Sequence, residues 1–69
     1  MITVNVIRKK QNMGEARVHF HNDKAYTEYD IKKGDILEDT FGRQFKIKSL
    51  HTLYHNDEPT LFELSYNNI

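Results

Sequence analysis

The chain has 69 residues, ten Lys/Arg against ten Asp/Glu, and no cysteine or tryptophan. That length supports one domain, burying roughly 60% of the surface its unfolded chain exposes, which leaves little wall for a deep catalytic cleft. A formal charge of zero lacks the basic excess of an electrostatically driven nucleic-acid binder, and the missing cysteines exclude disulfide staples, zinc ribbons and thiol chemistry.

The N-terminal segment alternates. Ile2, Val4 and Val6 face one way and Thr3, Asn5 and Ile7 the other, the period of a half-buried strand. Arg8, Lys9 and Lys10 follow this apolar stretch instead of preceding it, the reverse of a secretory signal. No run approaches a membrane span, so a cytoplasmic protein with no membrane partner is expected. Gln11-Asn12-Met13-Gly14 reads as a turn, because Gly14 is free to take positive φ.

Ala16, Val18 and Phe20 share the next inward face, opposite Glu15, Arg17, His19 and His21. Asn22-Asp23-Lys24 forms a turn cluster, and Ala25, Thr27, Tyr29 and Ile31 make a second inward set, so these two strands predict a hairpin. Lys32-Lys33-Gly34-Asp35 breaks the chain before a short strand at Ile36, Leu37 and Glu38. Asp39-Thr40-Phe41-Gly42 fits a four-residue turn. Phe45 and Ile47 resume the inward face, but Leu50 leaves that parity, which predicts a bulge near residues 49–52. A helix over 47–55 is the competing reading there, since Ile47, Leu50 and Tyr54 recur at spacings of three and four. After a turn at Asn56-Asp57-Glu58-Pro59, the residues Phe62, Leu64 and Tyr66 face inward.

This pattern predicts an all-β fold, a small antiparallel barrel or curled sheet of five to six strands spanning residues 1–69. Lys33-Gly34-Asp35-Ile36-Leu37 together with Gly42-Arg43-Gln44-Phe45-Lys46-Ile47 resembles a hairpin common in SH3-like small barrels. The resemblance implies a fold and carries over no functional residue. Phe20-His21-Asn22-Asp23 also echoes Tyr54-His55-Asn56-Asp57, which reads as good turn chemistry used twice.

Few residues suggest chemistry. His19 and His21 share a strand face, and His51, His55, Glu28 or Asp30 would be needed to complete a metal site. Solvated polar residues are the simpler account, and no metal or cofactor is expected. The carboxylate pairs Glu28/Asp30, Glu38/Asp39 and Asp57/Glu58 fall on turns or exposed faces, not across a cleft. Ser49 and Ser65 lack a nucleophile elbow, and the isolated glycines at 14, 34 and 42 make no phosphate loop. No enzymatic activity is expected.

The remaining candidate surface is basic and aromatic: Arg43, Lys46 and Lys48 along one strand, Phe41 at its turn, and outward-facing Tyr26 and Tyr54. Tyr and Arg are common protein-binding anchors, and rings beside a basic track hold single-stranded nucleic acid. The first expectation is a non-enzymatic protein-binding module, an inhibitor or adaptor of a larger partner. Its shortness and its Lys, Asn, Ile and Tyr content suit a phage or mobile-element accessory protein from an AT-rich genome. The second is a small-barrel nucleic-acid binder, and the third a structural part of a phage-type assembly. Near-zero charge also makes homo-oligomerisation physically easy.

Overall fold

Alternating burial here runs round a closed surface. The computed structural model describes residues 1–69, with strands β1 (Ile2–Arg8), β2 (Gln11–His21), β3 (Lys24–Thr27), β4 (Ile36–Glu38), β5 (Gln44–His55) and β6 (Glu58–Asn68). All pairings are antiparallel, and the strands close in the order β1-β2-β3-β6-β5-β4, with β4 returning to β1. The fold is therefore a closed six-stranded barrel, and residues 47–55 are strand, not helix. No helix is present that is long and apolar enough to cross a membrane.

The buried apolar core is small and mostly branched: Val4, Val6, Ala16, Val18, Ala25, Ile31, Leu37, Ile47 and Leu64. Every barrel strand contributes to it, and β1, β2, β3, β5 and β6 do so on the expected parity, with Leu37 the inward residue of β4. In β5 that parity changes once. Ile47 pairs with Tyr66 and Ser49 with Ser65, so Lys48 is an extra residue. This bulge turns Leu50 inward, opposite Leu64, and lets it pack on the core. The bulge thus lies just before the expected stretch. A second irregularity places Thr60 extra in β6, where its hydroxyl donates to the Leu53 carbonyl at 3.3 Å.

Three hairpins turn on two residues, both left-handed: Lys9-Lys10, Asn22-Asp23 and Asn56-Asp57. Such turns match the strand twist. The Asn-Asp turns sit where expected. The first turn does not: it falls at Lys9-Lys10, and Gln11–Gly14 belong to β2. Gly14 (φ 114°) and the Asn12 side chain, which accepts the Gly14 N–H at 2.8 Å, mark a bulge within the β1–β2 ladder instead.

One barrel end is sealed by the segment between β3 and β4. Tyr29 and Ile31 turn in, Ile31 being almost wholly buried. The segment is pinned by Asp35. Its carboxylate accepts from Arg8 Nε at 2.9 Å and from a second Arg8 guanidinium nitrogen at 2.8 Å, and also from the Lys32 N–H at 2.9 Å. Its carbonyl accepts the Ile47 N–H at 2.8 Å. Arg8 further donates to the Asp30 carbonyl at 3.1 Å. Burial pushes the Asp35 carboxyl upward, but the hydrogen bonds from Arg8 and Lys32 outweigh it, and its pKa lies below the ordinary 3.8.

Asp39 is lowered in the same sense: burial opposes ionisation, while the Arg43 and Phe41 N–H groups and the Arg43 side chain favour it more strongly. Both carboxylates stay ionised to lower pH in the folded chain than in the unfolded one. Between those values the unfolded state binds more protons, so stability rises with pH there. The contribution is complete above the unfolded value and is lost as pH falls through the folded ones. Melting temperature is expected to drop progressively below about pH 4. Asp35→Asn should lower melting at neutral pH by on the order of 10 °C and make the acid limb shallower. An equally steep acid limb in that variant, measured by circular dichroism, would exclude the Asp35 clamp as its source.

Candidate functional site

The opposite barrel end carries no such plug. Here β1 begins, β2 turns into β3, and β6 ends, so the inward positions nearest the strand termini meet solvent. Ile2, Phe20 and Tyr66 were expected in the core. Their parity is as expected, but they are exposed at 38%, 51% and 40%. Alternation set which side they face. The absence of a capping loop left them at the rim.

Together with Phe45 these side chains surround a pocket whose floor is Val4, Val18, Ala25, Leu37 and Leu64. All nine lining residues are hydrophobic. The Phe45 and Tyr66 rings meet edge to face, centroids 5.3 Å apart at 76°, which holds one wall in place. The cavity is about 50 Å³. An apolar cavity of roughly 150 Å³ is what benzene occupies in a protein core, so this one admits the end of one aliphatic side chain and not a ring or a lipid tail.

Further apolar groups extend the rim. Met1 precedes Ile2, and Ile69 lies beside Phe45, its N–H donating to the Gln44 carbonyl at 3.1 Å. Phe41, 82% exposed, crowns the adjacent β4–β5 turn. That turn is built on one carboxylate. Asp39 accepts the Phe41 and Arg43 N–H groups at 2.9 Å each and Arg43 Nε at 2.6 Å, while Gly42 takes the left-handed φ of 81° that completes it. The Arg43 guanidinium lies 5.4 Å from the Phe41 ring centroid. Six of the eight exposed large hydrophobic residues (Met1, Ile2, Phe20, Phe41, Tyr66 and Ile69) therefore gather at this end, leaving only Met13 and Tyr54 elsewhere.

The basic and aromatic residues singled out from the sequence are divided by the fold. Phe41 and Arg43 come together at the apolar rim, with the Arg43 charge already paired to Asp39. Lys46 and Lys48 lie further along β5, near the sealed end. Tyr54 stands at the far end of the β5–β6 ribbon, ten residues from Gln44 and so roughly 30 Å away. Tyr26 is half-buried on the outer face of β3, between His19 and Glu63 in the ladder. These rings do not form one stacking track.

The histidines are dispersed as well. His19 Nε2 lies 3.2 Å from Glu28 Oε2, and His51 stands three strands away on β5, opposite Glu63 of the neighbouring β6. Asp30 is engaged with Lys32 at 3.1 Å. No three His, Asp or Glu side chains converge. The comparisons with known proteins add no relative: no family model, curated protein or solved structure matches this chain.

The rim residues contribute contact surface more than stability. Phe20→Ser and Tyr66→Ser are each expected to cost at most about 1 kcal/mol, since each ring is already half solvated. The double variant should lose most of the fluorescence of an apolar dye bound to the native protein, while its melting temperature falls only modestly. Dye binding that survives both changes would place the accessible apolar surface elsewhere.

Proposed function

We propose that the chain is a non-enzymatic protein-binding module that docks through its open barrel end. The observation that carries this reading is the apolar pocket with its rim of exposed Ile2, Phe20 and Tyr66. Small monomers seldom expose a contiguous apolar patch without using it. A concave floor ringed by aromatic groups is the form of a docking surface that seats one anchor from a partner. The lining holds no carboxylate, imidazole or serine, so it offers contact and desolvation, not acid–base work. Its size selects a Val, Ile, Leu or Met side chain on the partner. Phe41 and Arg43 add a ring and a planar cation at the margin, where contacts tune affinity more than they supply it.

This reading fits an inhibitor or adaptor that occupies a surface on a larger protein. The small size of the barrel is in keeping with it. The nucleic-acid reading built on Arg43, Lys46, Lys48 and neighbouring rings draws less support, because Arg43 is neutralised and the rings are separated.

Panning a random peptide library against the purified protein tests the docking site. Selected peptides should share one aliphatic anchor and bind with micromolar affinity. Ala25→Val, which adds bulk to the pocket floor, and the Phe20→Ser/Tyr66→Ser variant should each weaken them tenfold or more. No enriched motif, or binding indifferent to these changes, would rule the mouth out as the docking site.

A further inference from the structure

Of the ten basic side chains, Arg8, Lys24, Lys32 and Arg43 make ion pairs with carboxylates. Arg17 lies unpaired on the outer face of β2. The other five, Lys9, Lys10, Lys33, Lys46 and Lys48, are also unpaired, and the fold gathers all five around the sealed barrel end. The Arg8–Asp35 clamp brings the β1–β2 turn beside the 32–34 turn, so that Arg8, Lys9, Lys32, Lys33, Gly34 and Asp35 line one shallow concavity. The Gly34 N–H donates to the Ile47 carbonyl at 2.9 Å, which sets Lys46 and Lys48 next to it on β5.

The charge there is lopsided. Seven cations meet three carboxylates, Glu28, Asp30 and Asp35; Asp30 and Asp35 are already engaged by Lys32 and Arg8, and Glu28 lies 3.2 Å from His19 Nε2. Of the other acids without a cationic partner, Asp23 and Glu38 are at the open end, Glu15 on the outer face of β2, and Asp57 and Glu58 at the ribbon tip roughly 25 Å beyond Lys48. A formal charge of zero conceals this segregation.

Lys9 and Lys10 hold φ of 52° and 64°. Turns of this kind favour Asn and Gly, and the other two in this chain use Asn-Asp. Backbone geometry does not call for lysine here. Local strain of this sort collects where a surface is used.

We infer that this cationic pole binds the phosphate backbone of duplex nucleic acid without reading its sequence. The concavity is lined by no hydrophobic residue, so it has neither the apolar side chains that seat a protein in a bilayer interface nor the rings that grip a single strand by stacking. Mobile lysines around a polar hollow match a row of phosphates. The site is separate from the apolar mouth and stands independently of the docking function proposed for it.

The test is a fluorescence-anisotropy titration of the intact protein with a short labelled DNA duplex over a range of salt concentrations. Each neutralised phosphate contributes about −0.9 to the slope of log affinity against log salt, so a slope on the order of −4 is expected. Lys9→Asn with Lys10→Gly installs preferred turn residues, so the variant should melt at the same or a higher temperature. It should bind at least tenfold more weakly at low salt, with the slope reduced by about two. Lys46→Gln with Lys48→Gln should act similarly. No binding to duplex at low salt, or an unchanged affinity and slope in both variants, overturns the proposal. So does tighter binding to single-stranded DNA, or binding to phosphatidylserine vesicles in place of duplex.

Discussion

The carboxylate of Asp35 joins segments that lie far apart in the chain. Arg8 comes from the end of β1, the Lys32 N–H from the turn before β4, and Ile47, bonded through the Asp35 carbonyl, from β5. These are the strands on either side of β4, the three-residue strand that closes the barrel. A strand that short forms few ladder bonds and has little independent stability. The buried ion pair fixes its entry point and thereby its register against both neighbours. The same contact draws residues 28–35 across the barrel end and seats Ile31 in the core. No buried side-chain polar atom is left without a partner, so the charge lies inside without an uncompensated desolvation cost.

Sealing one end and not the other makes the barrel polar in the geometric sense. At the sealed end the backbone and Asp35 groups are satisfied by the clamp, and most of the charged side chains pointing outward are lysines, with Glu28 and Asp30 the exceptions. At the other end the inward rows simply run out, and Ile2, Phe20 and Tyr66 stand over the buried floor with no loop above them. A barrel with nine buried apolar residues has no interior to spare for a ligand. Whatever it contacts must therefore be met at its ends or along its outer face.

Much of the architecture was legible because each strand had two chemically different sides. Val4 and Val6, Ala16 and Val18, and Ala25 and Thr27 alternate with polar neighbours, and each took the expected side. Depth was not legible. Alternation cannot say how far along the barrel axis a residue lies, so Phe20 and Tyr66 read as core although they form a rim. Asn22-Asp23 and Asn56-Asp57 announced their turns because Asn and Asp tolerate left-handed backbone. Lys9-Lys10 gave no such signal, and Gly14, which did, marks a bulge. The Arg8–Asp35 and Arg43–Asp39 pairs also differed in visibility. Asp39 opens a recognisable turn and meets Arg43 four residues on, whereas Arg8 and Asp35 are 27 residues apart and meet only once β1 pairs with β4. The lysine cluster was hidden for the same reason: residues 9–10, 33 and 46–48 converge only in the closed barrel.

The two kinds of cation divide the work of the molecule. Arg8 binds Asp35 through two guanidinium donors and Arg43 binds Asp39 through its Nε and its backbone N–H, and each holds a loop in place. A planar guanidinium is suited to that role because its donors match a carboxylate in a fixed geometry. Lysine is a compact, strongly hydrated charge on a flexible stem, and five of the seven lysines here carry no partner. Asp35 and Asp39, the two buried acids, are matched by the arginines and so cannot offset the lysine charge at a distance. Overall neutrality and a strongly positive pole are thus compatible in one small barrel, because the anions nearest that pole are already bound within the fold.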